Sequence, residues 1–141
     1  MKKTLLLLLV FSAIFISCGD SKIEVQSTLL VVDTYPSNGA EVDPSLDRII
    51  VFFSSSLDES QIKNESFVLE LVGGVDVDVA GVQVKTEILN LSEDRSAVTL
   101  SIGSTPLTGG SIYRLSVSDV KSATGSLLAH KYYTFFSVKT K

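Results

Sequence analysis

An all-β antiparallel sandwich of about seven strands is predicted for most of this 141-residue chain by three features of its sequence. Short segments rich in Val, Ile, Leu and aromatic residues alternate apolar with polar positions. Clusters of Gly, Pro, Asn and Ser interrupt them at short intervals, and almost no stretch carries a helical period. Period two places successive side chains on opposite faces of a strand, so such segments bury one face and leave the other wet. The elements follow in chain order.

Met1-Lys2-Lys3 is a short positive segment, and Leu5 to Ile16 is an apolar run interrupted only by Ser12 and followed by the small residue Ser17. That order is the order of a secretory signal peptide. Crossing a hydrocarbon core takes about 20 apolar residues, more than this run supplies, so it is a leader and not a lasting span. Phe15-Ile16-Ser17-Cys18 resembles the lipobox of bacterial lipoproteins, with Phe15 where leucine is usual. The resemblance implies that residues 1–17 are removed and that Cys18 is acylated and becomes the new N-terminus. Each buried methylene contributes about 0.8 kcal/mol, so two or three acyl chains hold a protein at a membrane stably and one does not. The alternative is an ordinary secretory leader cut near Ser17, with Cys18 an incidental thiol. Gly19, not aspartate, follows the cysteine, so the inner-membrane retention signal known in enteric bacteria is absent and an outer-membrane location is expected.

Residues 18–28 are polar and mixed and read as a short tether to a domain over 29–139. Thr28 to Tyr35 is the first β-like run, closed by Pro36-Ser37-Asn38-Gly39, where proline pre-sets φ and Asn-Gly tolerates positive φ. Arg48 to Ser54 is the strongest strand. After Leu57, Asp58 is placed to cap a short helical turn, with Gln61 returning the bond as in a capping box. Ser66 to Val72 is a strand, and Gly73-Gly74 is expected to let the chain reverse. Val75, Val77 and Val79 alternate with Asp76 and Asp78. Beyond Gly81, Val82, Val84, Thr86 and Ile88 alternate with Gln83, Lys85 and Glu87, placing the valines inward. Ser92-Glu93-Asp94-Arg95 is a charged turn, after which Val98, Leu100 and Ile102 point inward. Gly103 to Gly110 is a loop, Tyr113, Leu115 and Val117 point inward from the next strand, Gly125 marks a turn, and Tyr132 to Val138 is the last strand.

These residues carry a resemblance in order along the chain. Tyr35-Pro36-Ser37-Asn38-Gly39-Ala40-Glu41-Val42, then Ile49, Val51 and Phe53-Ser54 with Leu57-Asp58, then Pro106-Leu107, Gly110, Tyr113 and Val117, and finally Gly125 with Phe136, are similar to the SbsA-type bacterial Ig-like domain. The resemblance implies an Ig-like β-sandwich and a module used at cell surfaces, in surface layers, adhesins and exported enzymes, and it brings no catalytic residues. Tyr113, soon after Gly109-Gly110, resembles a tyrosine corner, with its ring inward and its hydroxyl bonded to nearby backbone. Ile50 and Phe52 depart from the family's polar alternation. Either the protein's own loops or tether cover that face, or it is a docking surface for a partner, because contiguous exposed apolar area is unusual on a monomer.

Chemistry finds little to work with. His130 is the only histidine, beside Lys131, and no serine stands on a Gly-x-Ser-x-Gly elbow, so no catalytic residue is assigned. Ligands for zinc are short, and the Gly-Gly pairs sit between strands and open no helix to cradle phosphate. Asp43, Asp47, Asp58 and Glu59, with Asp119, are weak calcium candidates; without an Asp-x-Asp-x-Asp-Gly loop they read as capping and turn carboxylates, and no cofactor is expected. Asn64-Glu65-Ser66 and Asn90-Leu91-Ser92 match a glycosylation pattern by accident. The lone cysteine makes no internal disulfide. Loss of Lys2 and Lys3 with the leader takes the formal charge from -4 to -6, which gives no electrostatic reason to bind nucleic acid. The expected protein is a membrane-anchored, non-enzymatic lipoprotein presenting one Ig-like domain to a protein or envelope glycan partner, as in adhesion. Its alternative is an accessory subunit of an envelope complex.

Overall fold

The computed structural model describes residues 27–75 and 80–140. The leader, Cys18, most of the tether and the expected strand through Asp76, Val77, Asp78 and Val79 lie outside the described residues. Among the described residues nine strands form two facing sheets: β1 (Val31–Tyr35), β2 (Ala40–Val42), β3 (Arg48–Phe53), β4 (Phe67–Gly74), β5 (Val82–Val84), β6 (Thr86–Leu91), β7 (Ala97–Ile102), β8 (Ser111–Val117) and β9 (Tyr132–Val138). One sheet has the order β1-β3-β7-β6 and the other β2-β9-β8-β4-β5. The sandwich is as expected; the count exceeds seven because β2 and β5 are three residues each, too short to announce a period. All pairs are antiparallel except β2 with β9, which is parallel, Glu41 lying opposite Ser137.

Between the sheets, Val51, Leu69, Val98, Leu100, Leu115 and Val117 are fully buried in one cluster. Their alternation along β3, β4, β7 and β8 is what period two requires of strands with one face inward. The rings of Tyr113 and Phe136 stack with centroids 5.7 Å apart. In β1 the residues on either side of Val32 meet β3 across a register shift, and Leu29 and Val31 face the core while Leu30 and Val32 face out.

Three local expectations are corrected. Gly73-Gly74 does not make the reversal: both remain in β4, past a bulge, with Gly74 opposite Ser111. Gly74 sits there because β4 approaches the Gly110 backbone too closely for a side chain. The run from Val82 to Ile88 is not one strand, since β5 pairs with β4 in one sheet and β6 with β7 in the other, the chain changing sheets at Lys85. Val82 is exposed, because β5 is an edge strand. Asp58 does cap a turn, its carboxylate accepting from Ser60 N–H at 3.1 Å and Ser60 Oγ–H at 2.7 Å, but no capping box forms. The Asp58 N–H that Gln61 would have met donates instead to the Lys121 carbonyl, and the helical turn is only a 3-10 turn over Glu59–Gln61.

The two expected polar turns hold. Gly39 takes φ +79, and Asn38 Oδ1 accepts from Phe135 N–H at 3.0 Å, tying the turn to β9. In the charged turn, Asp94 accepts from the hydroxyls of Ser92 at 2.6 Å and Ser96 at 2.7 Å and from Ser96 N–H at 3.0 Å. Those bonds favour the ionised carboxyl and lower its pKa to about 2.

Candidate functional site

Ile50 and Phe52 lie on the outer face of β3. Their cross-strand partners are Tyr35 and Thr99 for Ile50, and Asp33 and Ala97 for Phe52. Ile50 is half-buried and Phe52 is 36% exposed, with exposed Val32 and Tyr35 beside them on β1. Val32, Tyr35 and Phe52 thus leave apolar surface of this row open to solvent. Arg48 at its end is held by Asp47, Nε to Oδ1 at 3.1 Å. The hydrogen bond with Arg48 lowers the Asp47 pKa.

The opposite outer face, on the five-stranded sheet, was not legible in the sequence and is richer. Arg114 stands at its centre on β8, opposite Glu70 of β4 and Phe135 of β9. Its Nη2 donates to Glu70 Oε2, and its guanidinium carbon lies 5.5 Å from the centroid of the Tyr133 ring. Lys131 Nζ lies 5.5 Å from the same ring. Tyr133 is 46% exposed, and Phe135 and Ile112 are each 41% exposed. An apolar and aromatic patch around a half-buried Arg-Glu pair has the composition of interface centres, in which Tyr, Phe and Arg are enriched. The only signal in the sequence is Tyr133 and Phe135 two residues apart, and it is hidden by Tyr132 and Phe136, which are equally apolar and face inward.

Tyr113 is a buried tyrosine corner: its hydroxyl accepts from Thr108 N–H at 3.1 Å. Replacing it with Phe removes that bond while keeping the stacked ring, and is expected to cost about 1 kcal/mol. Denaturant melts of the two chains check this, and both outer faces should be unaffected.

The other candidate residues are not brought together into a site. Asp43 pairs with Lys139 at 3.3 Å, Asp47 with Arg48, and Asp58 caps its turn beside Glu59. Among the described residues no three His, Cys, Asp or Glu side chains gather around one point. Asp119 takes φ +56 at the end of β8, and His130 is an exposed loop residue before β9. An open cleft of about 510 Å³ lies at one end of the sandwich, lined by Pro44, Leu46, Arg48, Leu89, Ile102 and Pro106 among others. Its titratable groups, Asp47 and Arg48, bond to each other and present no free base there.

The fold has solved counterparts. A crystal structure of the N-terminal part of the bacterial S-layer protein SbsC superposes with a TM-score of 0.59 at 17% identity, over 80% of this chain and 24% of that one. The longer SbsC(31-844) structure gives 0.58 at 16% identity, over 82% of this chain and 14% of that one, so the chain spans a small part of that protein's length. PcoC, a copper resistance protein from Escherichia coli, gives 0.62 at 18% identity, over 77% of this chain and 98% of that one. At these identities the likeness is one of fold. No curated protein matches the sequence. The family model described as the bacterial Ig-like domain matches residues 25–138, which is most of the chain. With its two sheets, its tyrosine corner and that match, the chain belongs to the bacterial Ig-like domain family, a non-catalytic module type.

Proposed function

We propose that this protein is a lipid-anchored module of the bacterial cell envelope, binding or bracing without catalysis. The observation that carries the reading is the leader ending in Phe15-Ile16-Ser17-Cys18, set directly before a bacterial Ig-like domain. Cys18 is the anchor, the residues up to Thr28 are the spacer, and the sandwich presents its outer faces, Ile50 and Phe52 on one side and Arg114, Tyr133 and Phe135 on the other. Among the described residues no helix is long and apolar enough to cross a membrane. Likeness to S-layer SbsC domains supports a place at the cell surface, and the absence of Asp after Cys18 supports the outer membrane. The second reading, an accessory subunit of an envelope complex, is favoured by apolar exposure on both sheets, since a braced subunit has neighbours on each side.

The likeness to PcoC transfers the sandwich and not a copper role. Sulfur and imidazole donors suit copper, and this chain has one histidine, one cysteine and one methionine, the last at position 1 in the leader. Labelled palmitate tests the anchor. It is expected to enter the wild-type protein and not the Cys18→Ala chain. Absence of label from the wild type, or equal labelling of both, would remove the lipid from the reading.

A further inference from the structure

The patch on the five-stranded sheet is laid out so that it complements itself. Along β9 the outward residues are Tyr133, Phe135 and Ser137, with Lys131 just before them over the Tyr133 ring. Beside Ser137 stand Ile112 on β8 and Glu41 on β2, both facing out. One end of the strip therefore carries a cation and the other an anion. Lys131 and Glu41 are both exposed, and among the described residues neither has an ion-pair partner.

We infer that this face binds a second copy of the chain, the two sheets packing face to face about a two-fold axis that runs across the strands at the level of Thr134. Such an axis reverses position along the strand and keeps position across it. Residues one step either side of Thr134 then exchange, laying Tyr133 on Phe135 of the second copy and Phe135 on its Tyr133. Residues three steps either side also exchange, bringing Lys131, roughly 10 Å from the axis, to the level of Ser137 and Glu41 of the second copy. The remaining sideways offset is one strand, about 4.8 Å, which a lysine side chain spans. Rotation about an axis along β9 would instead set Lys131 against Lys131 and leave Glu41 opposite Ile112 of the second copy, with no ion pair. The charge pattern therefore selects one two-fold over the other. Every contact occurs twice in an isologous pair, so two aromatic stacks and two ion pairs form together. By mass action the dimer forms as the protein concentration rises. The inference stands apart from the anchor, because no contact in it involves Cys18.

Sedimentation velocity of the purified full chain in a nonionic detergent, across a concentration series, tests this. The wild type is expected to pass from monomer to dimer. Lys131→Glu sets like charges against each other at two places and should raise the dimer dissociation constant about tenfold or more. Glu41→Lys should do the same, and the chain carrying both substitutions should recover the wild-type association. Tyr133→Asp with Phe135→Asp should leave only monomer. All four residues are exposed, so thermal melts of the variants should stay near that of the wild type. A wild type that remains monomeric to millimolar concentration overturns the inference, as does a double charge variant that fails to recover. Loss of the dimer on Phe52→Lys alone would place self-association on the other sheet and overturn it too. A monomeric wild type whose tyrosine fluorescence shifts on titration with an acidic polysaccharide such as alginate would assign the face to a glycan instead.

Discussion

Truncating Leu115 to alanine is expected to cost about 3 kcal/mol or more. Leu115 lies on β8, the middle strand of the five-stranded sheet, opposite Leu69 of β4 and Thr134 of β9. It is fully buried in the cluster that also holds Val51, Leu100 and Val117. Strands on both sides hold its backbone in the ladder, so the neighbours cannot collapse into the space left behind, and the cavity term adds to the lost transfer energy. For a domain of this size each kcal/mol lowers the melting temperature by about 4–8 °C. A fall of well over ten degrees, by about that arithmetic, is the expected reading from a thermal melt. An equal truncation at exposed Leu127 or Leu89 should move the melt little, and a small effect at Leu115 would mean that the sheets repack.

Gly74→Ala is expected to destabilise by about 2–3 kcal/mol despite adding one methyl group at an exposed position. Gly74 holds φ +139, a conformation that side-chain-bearing residues rarely adopt, and an added Cβ would lie 2.5 Å from the Gly110 carbonyl oxygen and 2.6 Å from Ser111 Cα. Both are backbone atoms, one of the first residue of the neighbouring strand β8 and one of the residue before it, so nothing flexible can yield. Gly73 is the control, because an added Cβ there has nothing within 4 Å. Gly73→Ala should remain within about 0.5 kcal/mol of the wild type or gain slightly from the stiffer unfolded chain. Urea titrations of the two variants separate the outcomes, and equal stabilities would show that β4 moves away from Gly110 at little cost.

How much of the domain was legible depended on whether a strand's two faces differ chemically. Ala97 to Ile102 and Ser111 to Val117 alternate, and their inward residues Val98, Leu100, Ile102, Tyr113, Leu115 and Val117 are where the period places them. Tyr113 was readable as a corner because the cue is local, a tyrosine shortly after a glycine turn, and Thr108 supplies the N–H. Arg48 to Phe53 and Tyr132 to Val138 are apolar on both faces, so periodicity marks them as strands without saying how their outer faces are used. In the last strand the one polar inward residue, Thr134, is buried against Thr34, hydroxyl to hydroxyl at 3.4 Å. That contact spans a hundred residues of sequence and could not be foreseen from either segment.

By itself, then, the sequence determined the two-layer β architecture, the positions of most strands and the polar turns, because period and turn chemistry are local properties of the chain. It also set the charge balance and the poverty of catalytic groups. Only the tertiary structure decided that Lys85 marks a change of sheet, that Gly74 is needed for a close approach and not for a reversal, and that Arg114, Tyr133, Phe135 and Ile112 share one face. Those features depend on which strands become neighbours, and pairing between segments distant in sequence follows from packing the two layers together, which no local pattern records.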